Sequence, residues 1–234
     1  MGGVAGHMNH LYDNPNLTFS KMKEVIIAAS EGRLEGTEKT DGQNLFITYD
    51  IESQSARAAR NKGNLRSGGL DATGLAAKFA GRGSVEAAFN EAFSIFEKAV
   101  SSLPIEEQRA LFQPEGPESQ VYYNAEIQDP RNANVINYDT KTLNIHRVGH
   151  VKYNGMTGEI GSADLSKEAS YIEGVLNKMQ ASVKDDNFRI QMNAIRNLQS
   201  LSNKEPARKA LDLLEKTINA AGISDQDTVE DFLV

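Results

Sequence analysis

The sequence predicts an α+β fold, with strands and helices mixed over the first two thirds of the chain and helices alone in the last third. Three patterns carry that expectation. Leu45, Ile47 and Tyr49 alternate with Phe46, Thr48 and Asp50 in a stretch rich in β-forming residues, the period-two signature of a strand. Ala88, Phe89, Ala92, Phe93, Phe96 and Val100 fall on one helical face. Residues 166–184, 187–201 and 205–221 each show helical periodicity. Two parts follow, an α+β domain over 1–160 and a helical subdomain or insertion over 161–234.

The elements are read in chain order. Residues 17–32 predict a helix capped by Thr18 or Ser20, with Met22, Val25, Ile26 and Ala29 at helical spacing and Gly32 as its stop. Residues 37–51 predict a strand entered through Asp41-Gly42, and 55–60 a second strand paired with it, ending in Asn61-Lys62-Gly63-Asn64. Residues 67–83 are glycine-rich around a short apolar piece, 75–79. Residues 84–102 predict a helix capped by Ser84, and 104–117 a connector with a helical turn. Strands are expected at 121–127, 134–138 and 143–148. The helical third should pack through Ile172, Leu176, Met179, Ile190, Ile195, Leu198, Leu211, Leu214 and Ile218.

Composition excludes several classes. The 234-residue chain is 39% hydrophobic and 24% charged, ordinary for a globular protein. It contains no Cys, which rules out a disulfide framework, a thiolate zinc site and a cysteine nucleophile. No apolar run reaches the ~20 residues of a membrane span. The opening residues 1–7 lack the basic and apolar regions of a signal peptide, and Gly6 stands where a myristoylation signal needs Ser or Thr. A cytoplasmic setting is expected. The net charge of -7 requires any nucleic-acid contact to use a local basic patch, for which Arg57, Arg60, Lys62, Arg66, Lys78 and Arg82 are the candidates. The same residues could equally be ordinary surface charge. His146 and His150 are separated by Gly149 within a strand-like stretch, which argues against a zinc pair. The glycines form neither a P-loop nor a dinucleotide fingerprint, and no G-x-S-x-G elbow occurs.

The most informative stretch is Glu38-Lys39-Thr40-Asp41-Gly42-Gln43-Asn44. A lysine amine attacks a phosphate only when deprotonated and held in line. A glycine beside it lets the backbone approach a nucleotide without a clashing side chain, and the polar neighbours can fix base and ribose. A turn ending in Asp-Gly, with Lys39 merely solvated, accounts for the same residues. Farther along, Arg60 lies in a hairpin edge, with Arg57 as its alternative. Glu126 interrupts the apolar-aromatic strand Tyr122-Tyr123-Asn124-Ala125-Glu126-Ile127. A carboxylate there has a cost unless it is paired or used, although a Glu on the wet face of a half-buried strand is common.

These residues resemble the signatures of the covalent nucleotidyltransferases, the RNA- and DNA-ligase-like enzymes that adenylate a lysine. Glu38-Lys39 followed by Gly42 and Asn44 is similar to the E-K-x-x-G-x-N pattern of the RNA-ligase branch. Arg60 corresponds to the family's arginine on a neighbouring strand, which contacts phosphate or an acceptor end. Glu126 corresponds to the carboxylate that binds the nucleotide ribose, and residues 143–148 to the strand behind the adenine pocket. The resemblance covers roughly residues 35–148. Glu173-Gly174-Val175-Leu176-Asn177-Lys178 fits the family's fourth signature on paper, but its helical periodicity predicts a helix where the signature needs a strand. No K-x-K pair supplies the fifth. The chain is then the N-terminal portion of a longer protein or a degenerate member. Similarity also extends to a family encoded by tailed bacteriophages, through His10-Leu11-Tyr12-Asp13, residues 36–44 and Asn124-Ala125-Glu126-Ile127-Gln128.

The resemblance implies a twisted, mostly antiparallel sheet of the ligase type. It implies ATP with Mg2+ or Mn2+ as cofactors, and a lysyl-adenylate on Lys39. Glu38, Asp41, Gly42, Asn44, Arg60 and Glu126 would bind the nucleotide, and RNA or DNA 5′-phosphate ends would receive AMP. It places the protein in the host bacterial cytoplasm, with no membrane partner. The competing reading is a catalytically incomplete phage structural or interaction protein that keeps the nucleotide-binding fold.

Overall fold

The computed structural model describes residues 10–133 and 135–233. In chain order the first elements are α1 (Phe19–Ser30), β1 (Glu35–Gly36), β2 (Gln43–Asp50), β3 (Ser55–Ala59), α2 (Lys62–Arg66), α3 (Ala72–Phe79), α4 (Ser84–Ser101) and α5 (Ile105–Phe112). They are followed by β4 (Ser119–Gln128), β5 (Lys141–Ile145), β6 (His150–Asn154), β7 (Ile160–Ala163), α6 (Ala169–Ser182), β8 (Phe188–Met192), β9 (Arg196–Asn197), α7 (Glu205–Ala221) and α8 (Val229–Leu233). The fold is α+β with a mixed sheet of seven strands. No described helix is long and apolar enough to cross a membrane.

The chain divides into two compact units, and not at residue 160. One contains Lys39–Asn193, and the other combines the described residues up to Glu38 with those from Ala194 onward. The expected 1–160 and 161–234 division gives way because β7, α6 and β8 belong to the first unit. β8 pairs in parallel with β5, and Ile172, Val175, Leu176 and Met179 of α6 lie in the same core as Leu143 and Ile145. Cutting at 160 would split that core.

In the first unit the strand order is β3-β2-β4-β5-β8, and every pairing in the sheet is antiparallel except β5 with β8. The long β4 is the spine. Its first half pairs with β6 and its second half with β5. One face carries Leu45, Ile47, Tyr49, Tyr123, Ala125, Ile127, Leu143, Ile145 and Ile190, packed beneath α3, α4, α5 and α6. Each fully buried Leu, Ile or Phe contributes roughly 1.5–3 kcal/mol to that packing. The opposite face is apolar at one end, where Phe46, Ala59, Leu65, Tyr122 and Val151 form a smaller cluster. One pleat along, it becomes polar.

In the second unit α1 and α7 are in contact, and Lys23 of α1 forms ion pairs with Glu215 and Asp225. The two-residue strands β1 and β9 pair antiparallel. Thr18 caps α1 by accepting from the Lys21 N–H at 3.2 Å. Gly32 ends the helix region at φ 72°, where an added Cβ would stand 2.6 Å from the Leu198 carbonyl oxygen. Two surface hollows of about 430 and 440 Å3 lie in this unit, one beside Lys216, Ala220 and Phe232, the other beside Lys21, Ala28 and Leu34. Neither is lined by a residue of the Lys39 motif.

Several sequence expectations need correction. Residues 187–201 are not a helix but contain β8 and β9, so the last third is not all helical. Phe188 and Ile190 are buried while Arg189 and Gln191 are exposed, a period-two pattern that the flanking Ile195 and Leu198 disguise as helical. The strand expected at 134–138 is absent over its described part, and Asn134 lies outside the described residues. There the Val135 and Ile136 N–H groups donate to the Asp41 carboxylate instead of to a ladder. The glycine-rich stretch hides a full helix, α3, capped by Asp71. Residues 61–64 begin the helical turn α2. Gly83 rather than Ser84 is the N-cap of α4. The opening residues 1–7, read as lacking a signal-peptide pattern, lie outside the described residues.

Candidate functional site

The polar part of the sheet's second face is a row running across four strands. Asn44 of β2 lies opposite Glu126 of β4, Glu126 opposite Asn144 of β5, and Asn144 beside Gln191 of β8. The row arises because the alternation that buries Leu45, Ala125 and Leu143 on one face turns their neighbours to the other.

Glu126 is the hub. One carboxylate oxygen accepts from the Gly42 N–H at 2.9 Å, and the other lies 3.1 Å from His146 Nε2. Its side chain is only 15% exposed, so these partners offset the desolvation of the charge. Gly42 fits so closely that a Cβ there would stand 2.4 Å from the Ile127 carbonyl oxygen and 2.9 Å from Glu126 Cγ. No side chain fits that contact. Asn44 Nδ2 donates to Asn124 Oδ1 at 2.7 Å and to the Ala125 carbonyl at 3.2 Å. Arg60, just past β3, donates from its guanidinium to the Asn44 carbonyl at 2.6 Å. Burial draws Arg60 below its ordinary range, as does the charge of Arg82, while Glu126 acts the other way. Arg60 and Glu126 therefore lie within each other's field.

Lys39 is an exposed residue of the loop that enters β2. Among the described residues its amine has no hydrogen-bond or ion-pair partner. The loop is held just after it by the next two residues. Thr40 is buried with its hydroxyl 3.4 Å from Asn144 Nδ2. The Asp41 N–H donates to the Tyr138 hydroxyl at 3.0 Å, and the Asp41 carboxylate receives the Val135 and Ile136 N–H groups at 2.6 and 2.8 Å. Asp41 thus ties the Lys39 loop to the segment before β5. Glu38 is exposed and belongs to the other unit.

Of the residues singled out from the sequence, Gly42, Asn44, Arg60 and Glu126 meet directly, and Lys39 and Asp41 lie on the loop that leads into them. Arg57, the alternative to Arg60, is matched by Asp50 and Asp71 at 3.7 and 3.9 Å. Glu173-Gly174 lies within α6, where Glu173 pairs with Arg147, so it is not a strand signature.

Asn144 belongs to the row, and His146 and Asn124 bond to its members, but the sequence reading names none of the three as a nucleotide-binding residue. Asn144 is fully buried and its Oδ1 has no hydrogen-bond partner. An unpaired buried amide oxygen costs about 1–3 kcal/mol, and it suits a donor that arrives with a ligand. A polar residue between Leu143 and Ile145 was a usable signal, of the same kind as Glu126 within its strand. Tyr138 gave none. His150 is also buried, its Nδ1 accepting from the Asn124 N–H at 3.1 Å. Desolvation first, then the nearby His146, lowers its pKa to about 4, so it is a neutral acceptor.

Comparison of the chain with protein-family models, with curated proteins and with solved structures gives no match.

Proposed function

We propose that the protein is an ATP-dependent nucleotidyltransferase of the RNA-ligase kind, with Lys39 as its nucleophile. The observation that carries this reading is the Glu126 hub, which joins Gly42 of the lysine loop to a row containing Asn44, whose carbonyl holds Arg60. Nucleotide transfer needs ribose, phosphate and nucleophile held together. Glu126 and the unpaired amide oxygen of Asn144 can accept from sugar or base, and Arg60 offers a cation to phosphate. Gly42 lets the backbone approach closely.

In the first step the Lys39 amine attacks the α-phosphorus of ATP. A P–N bond forms, the bond to the bridging oxygen breaks, pyrophosphate leaves, and the amine gives up a proton. AMP then passes to a nucleic-acid 5′-phosphate, freeing Lys39, and a 3′-hydroxyl displaces the AMP. Among the described residues no group of three or more His, Cys, Asp or Glu could hold a metal ion. The ion that this chemistry uses would arrive on the triphosphate, with most of its ligands water and phosphate.

The test is incubation with labelled ATP and Mg2+ or Mn2+, followed by denaturing electrophoresis. Wild type should retain an acid-labile label. Lys39→Ala and Lys39→Arg should lose it, the second because a guanidinium stays protonated. Glu126→Ala should weaken labelling by loosening the nucleotide. Label that persists in Lys39→Ala would remove Lys39 from the reaction.

The second reading is a catalytically incomplete phage structural or interaction protein that keeps a nucleotide-binding fold. It draws support from the helical setting of Glu173-Gly174 and from the lack of a K-x-K pair on the C-terminal side of Lys39. Wild type that binds ATP at equilibrium without labelling would favour it.

A further inference from the structure

His146 is bound to the Glu126 hub yet has no role in the proposed transfer. Its Nε2 lies 3.1 Å from one Glu126 carboxylate oxygen, while the other oxygen accepts from the Gly42 N–H at 2.9 Å. An ionised carboxylate has only acceptors to offer, so the imidazole is the donor and Nε2 carries the proton. The two side chains are 16% and 15% exposed, so water competes little for that bond.

The ring is aimed by its backbone. His146 directly follows β5, and its N–H donates to the Asn124 carbonyl at 2.9 Å. Asn124 stands two residues before Glu126 on β4, hence on the same face. It is held from two further directions, its N–H by His150 Nδ1 at 3.1 Å and its side chain by Asn44 at 2.7 Å. The register that sets His146 beside Glu126 is therefore locked at Asn124. Arg60 supplies a competing pull, since its charge and that of Glu126 act on each other.

We propose that His146 is a positioning residue for the Lys39 loop, acting through Glu126 and the Gly42 N–H. Gly42 closes that loop three residues after Lys39. A Cβ there would stand 2.9 Å from Glu126 Cγ, so the loop sits where the carboxylate sits. The imidazole fixes one carboxylate oxygen, and the other oxygen fixes the loop. Without the imidazole the Arg60 charge draws the carboxylate away, and the Gly42 N–H loses its acceptor. His146 exchanges no proton with the nucleotide and touches none of its atoms. That this order serves an attack by Lys39 rests on the nucleotidyl-transfer reading.

Amide hydrogen exchange followed by NMR reads this relay without ATP. His146→Ala should speed exchange at Gly42 about tenfold, and His146→Gln, whose side-chain N–H can replace that of Nε2, should return it to within about twofold of wild type. Lys141→Gln, at the other end of β5, should change nothing at Gly42. In a Glu126→Ala background the loss of His146 should have no further effect. Equal acceleration with and without Glu126, or no acceleration, would overturn the proposal. So would ring-nitrogen shifts of the wild type that place the only imidazole proton on Nδ1, a measurement that needs no variant to fold. At saturating ATP, labelling of Lys39 should slow about tenfold in His146→Ala and recover in His146→Gln. Labelling as fast in His146→Ala as in wild type would remove the relay and leave the transferase reading standing. A wild type that takes no label, while Gly42 exchange still follows His146, would sink the transferase reading and leave the relay standing.

Discussion

Leu143 and Asn144 are neighbours on β5, both fully buried, yet they belong to opposite faces of one sheet. The Leu143 face is continuous and apolar, covered by four helices. The Asn144 face changes character within one pleat, from Phe46 and Tyr122 to Asn44 and Asn124. A sheet that only needed to fold would continue the smaller apolar cluster along this face. It carries instead a carboxylate, three asparagines and a histidine, all buried or half-buried, and the buried Asn144 has an unpaired oxygen. Polar groups placed where burial favours apolar ones point to a task other than stability.

The contrast can be broken by substitution. The largest effect is expected on the apolar face, where Leu143→Ala should cost about 2–5 kcal/mol in urea denaturation by leaving a cavity among α6 and β8 residues. Loss below about 1 kcal/mol would mean that this face is not the core it is taken to be.

His150 should make stability pH-dependent. Its folded pKa of about 4 lies below the ordinary 6.5, so its contribution is fully present above pH 6.5 and is lost as pH falls toward 4. The slope is at most about 1.4 kcal/mol per pH unit. His150→Asn, which can keep an acceptor for the Asn124 N–H, should flatten that part of the curve. A wild-type stability that does not decline between these pH values would rule this out.

Gly42→Ala should cost about 1–3 kcal/mol, because the new Cβ meets the Ile127 carbonyl rather than a flexible side chain. ATP affinity should fall with it as the Glu126 contact opens. Unchanged stability and binding would show that the loop has another way to sit.

Asn144→Ala should have the smallest effect on the fold, within about 1 kcal/mol of wild type, since it removes an unpaired acceptor together with one long contact to Thr40. Calorimetric titration with ATP should show a larger loss in binding than thermal melts show in stability. A cost as large as that of Leu143→Ala would erase the distinction between the two faces.

Much of the fold could be read from local pattern. α1, α4, α6 and α7 follow from apolar spacing, and β2 and β4 from alternation and β-forming residues. β8 could not be read this way, because five residues are too few to separate a strand from a helix fragment when apolar neighbours continue the wrong period. The segment at 134–138 shows the reverse error. Its residues favour a strand, but the Asp41 carboxylate takes the N–H groups a ladder would need.

By itself the sequence determined the α+β class, the strand that follows the lysine loop, and the oddity of a carboxylate in the β4 strand. Only the tertiary structure decided that Glu126 holds Gly42, that Arg57 pairs with Asp50 and Asp71 while Arg60 has no carboxylate at salt-bridge distance among the described residues, and that Asn144 completes the row. It also divided the chain at Lys39 and Asn193 instead of at 160. The reason is physical. Periodicity reports which side of an element is apolar, a local property of a few residues. Register, the closeness of two backbones and the pairing of distant charges depend on groups 84 residues apart, as for Gly42 and Glu126, and no local pattern encodes them.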